Sequence, residues 1–192
     1  MMPQHLKEPT PDLVESYVVR FDNDAEYAAG EKIIADLFRS LPDNRDIDDV
    51  WHKVVVLNGL YSTNIWATYK VASHICELDI DPKLEEKSLP LVNNIAQVEI
   101  KGKTWHFRSF ASKYCSWHKP EVYPIYDSFV DRLIWAYRKL YAFADFKHNE
   151  LGDYPRFREI IERFRDYFGL SQFNFKELDK FLWLYSKKVF PQ

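Results

Sequence analysis

At 192 residues, with 46% hydrophobic and 29% charged side chains, the chain is long enough for a sizeable core and too balanced to be disordered. No apolar run reaches bilayer-crossing length, the start MMPQHLKEPTP has no signal-peptide core, and Cys76 and Cys115 are too few for a disulfide framework or an iron–sulfur cluster. The net charge of −3 argues against a generic nucleic-acid binder, yet it is uneven: residues 1–50 hold twelve acidic against five basic residues, leaving the remainder net positive.

Few segments read as strands. Asp12 to Phe21 is short and ambiguous. From Glu26 to Leu41 a helical stripe runs through Ala29, Ile33, Ile34, Leu37 and Phe38, and Pro42 ends it. The acidic turn Asp43 to Asp49 starts a second helix through Val50, Val54, Val55 and Leu57. Gly59 is expected to interrupt it, with a further helix from Ser62 to Leu78. Asp81 to Pro90 reads as a loop followed by a short helix. Val98 to Phe107 places Gly102 between two β-prone arms, which predicts a small hairpin. Phe110, Ala111, Tyr114 and Trp117 then form a helical face ending at Pro120. After a helix opening at Asp127 and a loop at Lys147 to Asp153, two closing helices cover Tyr154 to Phe168 and Phe175 to Val189, the second capped by Asn174. The expectation is a mainly all-α, single helical domain over 1–192, with about eight or nine helices and a small β-hairpin near 98–107.

The stretch Tyr123 to Arg132, Y-P-I-Y-D-S-F-V-D-R, is the most informative. Pro124 disfavours helix at Tyr123, and Asp127 has the short carboxylate of an N-cap at the head of an amphipathic helix. One reading makes Asp127 only a cap. The other makes it a carboxylate, favoured in its charged form by the helix dipole, that stabilises positive charge or activates a nucleophile. Upstream, Ile100 to Pro120 carries Lys101, Lys103, Arg108, Lys113 and Lys119 with no acidic residue, which suits a polyanion. Lys113 lies at the border of an apolar helix face. It either buries its stem and exposes its ammonium, or serves as an amine nucleophile. His74, His106, Cys115 and His118 match no zinc spacing, and no glycine loop cradles phosphate, so neither a metal nor a nucleotide cofactor is expected. Asn58 to Asn64, N-G-L-Y-S-T-N, is a polar island that either caps the next helix or projects Tyr61 or Asn64 towards a site.

P-I-Y-D-S-F-V-D-R resembles the P-I-x-D-x-x-V-x-R segment of the helix-hairpin-helix/Gly-Pro-Asp superfamily of base-excision DNA glycosylases, matching at Pro124, Ile125, Asp127, Val130 and Arg132. V-L-N-G-L-Y-S-T-N-I, Val56 to Ile65, is similar to the early helix from which that family fills the gap left by the target base. S-F-A-S-K-Y-C-S-W-H-K-P followed by Y-P-I-Y-D-S also looks like bacterial proteins with an oxoguanine-glycosylase fold. The resemblance covers about residues 50–140, the glycosylase-like core. It implies a DNA glycosylase excising a modified or damaged base by hydrolysis of the N-glycosidic bond. Asp127 would be the catalytic aspartate and Lys113 the Schiff-base lysine of bifunctional members. Lys101, Lys103, Arg108, Lys119 and His118 would contact DNA, and Asn58, Tyr61 and Asn64 would line the base pocket or fill the gap. V-E-I-K-G-K-T stands where the family has the hairpin L-P-G-V-G. The alternative is a non-catalytic module that keeps the fold and binds nucleic acid or a protein. A cytoplasmic protein that takes DNA as partner, with no membrane, metal or iron–sulfur cluster, is expected.

Overall fold

The computed structural model describes residues 6–191. Among these are ten α-helices and one two-stranded antiparallel sheet, the mainly all-α class that the helical periodicities imply. The ambiguous opening segment is helix α1 (Pro11–Asp22). Thr10 caps it by accepting from the Leu13 amide, and Pro11 occupies the first turn, where its missing N–H leaves no bond unmade. α2 (Ala25–Ser40) stops before Pro42 as the proline requires.

α3 (Ile47–Tyr61) begins at Asp46, whose carboxylate accepts from the amides of Asp48 and Asp49. Gly59 does not interrupt this helix. Nothing stands within 4 Å of where its Cβ would be, so the glycine costs only its propensity, about 1 kcal/mol, and the packed turns before it carry the helix through. The stop comes at Ser62, in the left-handed conformation with φ 49°. The next helix, α4 (Thr68–Glu77), therefore starts six residues later than the polar island suggests. α5 (Ile80–Glu85) lies inside the stretch that reads as a loop, anchored by the buried Ile80 and Leu84. α6 (Pro90–Ala96) follows with proline at its first position.

β1 (Gln97–Ile100) and β2 (Lys103–His106) form the expected hairpin, with Val98 opposite Trp105 and Ile100 opposite Lys103. Lys101 and Gly102 both have positive φ, 52° and 72°, the signature of a two-residue type I′ turn whose twist matches that of the strands. α7 (Arg108–His118) and α8 (Ser128–Tyr141) follow. A 3₁₀ turn at His148–Gly152 precedes α9 (Tyr154–Tyr167), and α10 (Phe175–Val189) opens on a reciprocal capping box between Asn174 and Glu177.

The chain divides into two compact units, Met1–Ala28 with Pro124–Gln192, and Ala29–Tyr123. In the first, α10 packs against α1 and α8. Tyr17 of α1 meets Phe181 and Tyr185 of α10 edge to face at 5.8 and 5.3 Å. The Tyr137 hydroxyl donates to the Lys7 carbonyl at 2.9 Å, and the Lys7 amide donates to the Tyr185 hydroxyl at 2.8 Å. In the second unit α3 packs on α4 and α7, and α6 on α7, around Val54, Leu57, Val71, Ile75, Val92, Ile95, Phe110 and Tyr114, all buried. The second unit is continuous in sequence and is inserted into the first.

Candidate functional site

Asp127 belongs to the first unit and is the N-cap of α8. Its backbone is extended (φ −154°, ψ 154°), and its Oδ1 accepts from the Phe129 amide at 2.7 Å. The residue is half-buried. Three side chains brace its segment. The Tyr154 hydroxyl donates to the Pro124 carbonyl at 2.7 Å within the core, and the Ser186 hydroxyl donates to the Phe129 carbonyl at 2.8 Å. One turn into α8, Asp131 receives the Tyr126 hydroxyl on Oδ2 at 3.0 Å and pairs through Oδ1 with His148 Nε2 at 2.7 Å. The carboxylate thus starts a helix whose register is pinned from both sides, the condition for a group that must meet a reacting centre in one geometry.

Lys113 belongs to the second unit, on α7, and is 2% exposed. Its ammonium donates to Ser109 Oγ at 2.7 Å and lies 5.2 Å from the centroid of the Tyr61 ring. The Tyr61 hydroxyl accepts from Trp117 Nε1 at 3.1 Å. Lys113 and Tyr61 are therefore brought together, as members of one packed aromatic–cation group. Asn58 is spent locally: its amide donates to the Ile65 carbonyl at 3.0 Å, and its Oδ1 accepts from the Ile65 amide and the Thr63 hydroxyl, both at 2.9 Å. It closes the loop after α3. Asn64 is exposed, with φ 58°.

Among the basic residues, Lys101 and Lys103 are exposed at the hairpin, with the Lys103 ammonium 4.8 Å from the Trp105 ring centroid, and Arg108 is half-buried at the start of α7. Lys119 is ion-paired with Glu85 at 2.7 Å. His118 is turned the other way, into a polar cluster around Asn44. Asn44 Oδ1 accepts from Lys53 Nζ at 2.7 Å, from the Tyr114 hydroxyl at 2.5 Å and from His118 Nε2 at 3.1 Å, while its amide donates to Asp81 at 2.6 Å. Lys53, fully buried, also donates to the carbonyls of Leu41 and Asp43. Burial pulls Lys53 down to about 8 against the attraction of Asp81, Asp49 and Asp43. Burial, and then Lys53, pull His118 down to about 3, so the histidine is neutral and adds no charge to a phosphate site. A pocket of about 400 Å³, lined by Arg45, Asp81, Glu85, His118 and Lys119, opens above this cluster, its cations and anions largely paired with one another.

The sequence did not single out Tyr126, Asp131, His148, Tyr154 or Ser186. Of these only Asp131 carried a local signal, four residues after Asp127 on the same helix. Nor did it single out Lys53 and Asn44, because their partners lie as far away as Tyr114, 70 residues on. Among the described residues no three His, Cys, Asp or Glu side chains cluster as a metal site, and none of the helices is long and apolar enough to cross a membrane.

A family model described as the HI_0787_N N-terminal domain matches residues 13–122, ending one residue before the second unit does at Tyr123. An uncharacterised protein of Haemophilus influenzae is 38% identical over 168 residues, covering 87% of this chain and 77% of the relative. No solved structure matches. A match over more than half the chain, joined to that identity, establishes the kinship: the chain belongs to the HI_0787_N family.

Proposed function

We propose that the chain is a glycosylase-like protein that acts on a modified base in nucleic acid, with Asp127 as the reacting carboxylate. The observation that carries this is the braced, half-buried position of Asp127 at the N-terminus of α8. An anion held there lowers the energy of an oxocarbenium-like sugar as the bond from C1′ to the base nitrogen breaks. Water adds its oxygen to C1′, and the departing base takes up a proton. The resemblance of P-I-Y-D-S-F-V-D-R to the glycosylase segment supports the same residue. Free thiols at Cys76 and Cys115 fit a reducing, cytoplasmic setting.

The test is incubation with oligonucleotides carrying a panel of modified bases, with and without borohydride. Release of at least one base, abolished by Asp127→Asn, is the expected result. A trapped covalent adduct that is lost in Lys113→Ala would assign the lysine a Schiff-base role. The exposed Lys101–Lys103 turn favours a second reading, a binding module without chemistry. Salt-dependent nucleic-acid binding with no release from any base supports that module, and absence of binding overturns both.

A further inference from the structure

The second unit carries an aromatic surface that Asp127 chemistry does not use. Trp66, in the loop before α4, is 57% exposed, and Tyr69, in the first turn of α4, is 54% exposed. Trp51 of α3 meets Tyr69 edge to face at 5.3 Å and donates its indole N–H to Thr68 Oγ1 at 3.0 Å. Trp66 meets Trp105 of β2 edge to face at 5.9 Å, and Trp105 lies within 6° of parallel to Phe107. Trp105 and Phe107 are half-buried beneath this layer, yet Trp51, Trp66 and Tyr69 leave large faces in water, at a cost that soluble proteins normally avoid by burial. Clusters of this kind mark interaction surfaces.

The charge around the rings says what the occupant is. Lys103 covers Trp105, Lys101 sits at the hairpin turn, His106 is exposed on β2, and Lys70 follows Tyr69. Between Val98 and Pro120 the single acidic residue is Glu99, and its carboxylate is engaged by the Thr104 hydroxyl at 2.5 Å. Flat apolar faces beside the lysines of the hairpin complement a polyanion that presents flat apolar rings. Unpaired bases on a phosphodiester chain have that form, whereas bases inside a duplex already stack on one another. We propose that this surface binds single-stranded nucleic acid, with bases stacked on the exposed Trp66 and Tyr69 and phosphates held by Lys101 and Lys103. The proposal rests on the nucleic-acid part of the reading above and is independent of Asp127.

Fluorescence anisotropy of the full chain with a labelled oligothymidylate, and with the same strand annealed to its complement, tests it. The single strand is expected to bind roughly tenfold tighter than the duplex. Trp66→Ala should weaken single-strand binding roughly tenfold while Trp66→Phe retains most of it. Lys103→Ala should reduce the salt slope by about 0.7. Far-UV circular dichroism verifies folding of each variant, and the wide exposure of Trp66 and Lys103 keeps both readable. Equal or tighter duplex binding, or unchanged affinity in Trp66→Ala, overturns the proposal. So does self-association by sedimentation that Trp66→Ala abolishes, since the rings would then face a second copy. The two readings fail separately. Base release without single-strand binding removes this proposal alone, and single-strand binding that persists in Asp127→Asn supports it whatever the fate of the chemistry.

Discussion

Asn44 shows how much can hang on one uncharged side chain. Its carbonyl oxygen receives an ammonium, a phenol and an imidazole, and its amide holds Asp81. Asn44→Ala leaves the buried Lys53 with two carbonyl acceptors and strips a partner from Tyr114 and His118, so a loss of about 3 kcal/mol in urea unfolding is expected. Lys53→Met, which removes the buried charge and keeps the stem's packing, should cost clearly less. The same cluster sets a pH dependence. His118 has its pKa near 3 when folded against an ordinary 6.5, so as pH falls the unfolded chain takes up the proton first. Stability from this group is therefore complete above pH 6.5 and drains as pH drops towards 3, by up to about 1.4 kcal/mol per unit. Lys53, near 8 when folded against 10.5, adds a gain as pH climbs from 8 to 10.5. Denaturation curves across pH should flatten on the acid side in His118→Asn. At Asp127 two roles can be separated with two substitutions: Asn keeps an acceptor for the Phe129 amide and should leave stability nearly unchanged, whereas Ala should cost about 1 kcal/mol. Loss of base release in both, against loss of stability in one, distinguishes chemistry from capping.

The elements were legible at several positions where a residue announces a start or a stop by its own chemistry, though not at Thr10 and Pro11, which open α1. Pro42, Asp127, Asn174 and Gly102 did so, and the structure ends α2, caps α8 and α10 and turns the hairpin at these positions. Gly59 misled because a glycine's propensity cost is small against the burial of Val50, Val54 and Leu57 on the same helix. Ser62 gave no warning, since a serine in the left-handed region is set by the Asn58 staple and not by intrinsic preference. The supports of the Asp127 segment were hidden for another reason: Tyr154 and Ser186 arrive from α9 and α10, and a tyrosine or serine within an amphipathic helix carries no mark of its distant partner. Tyr154→Phe removes only the hydroxyl and should destabilise by about 1 kcal/mol. The turn Lys101–Gly102 offers an opposite-signed change. Asparagine is favoured at the first position of a type I′ turn, so Lys101→Asn should raise the melting temperature slightly while weakening nucleic-acid binding.

At the scale of the molecule, the two units differ in how their chain is used. The second is one uninterrupted stretch, Ala29–Tyr123, while the first joins Met1–Ala28 to Pro124–Gln192. The joint in the first unit is aromatic: Tyr17, 6% exposed, is set against Phe181 and Tyr185. Tyr17→Ala should therefore cost about 3 kcal/mol, and hydrogen exchange should show the loss as faster exchange in α10 and α8. The insertion also dictates an order of events during synthesis. All of the second unit has been made once Tyr123 has left the ribosome, so its hairpin and helices can settle while translation continues. α1 is made before this unit and α10 after it, so Val14 and Tyr17 must wait for α10 to cover them. The nascent chain thus carries α1 without its α10 partner while the inserted unit is made, and covering it means closing a loop that spans that whole unit.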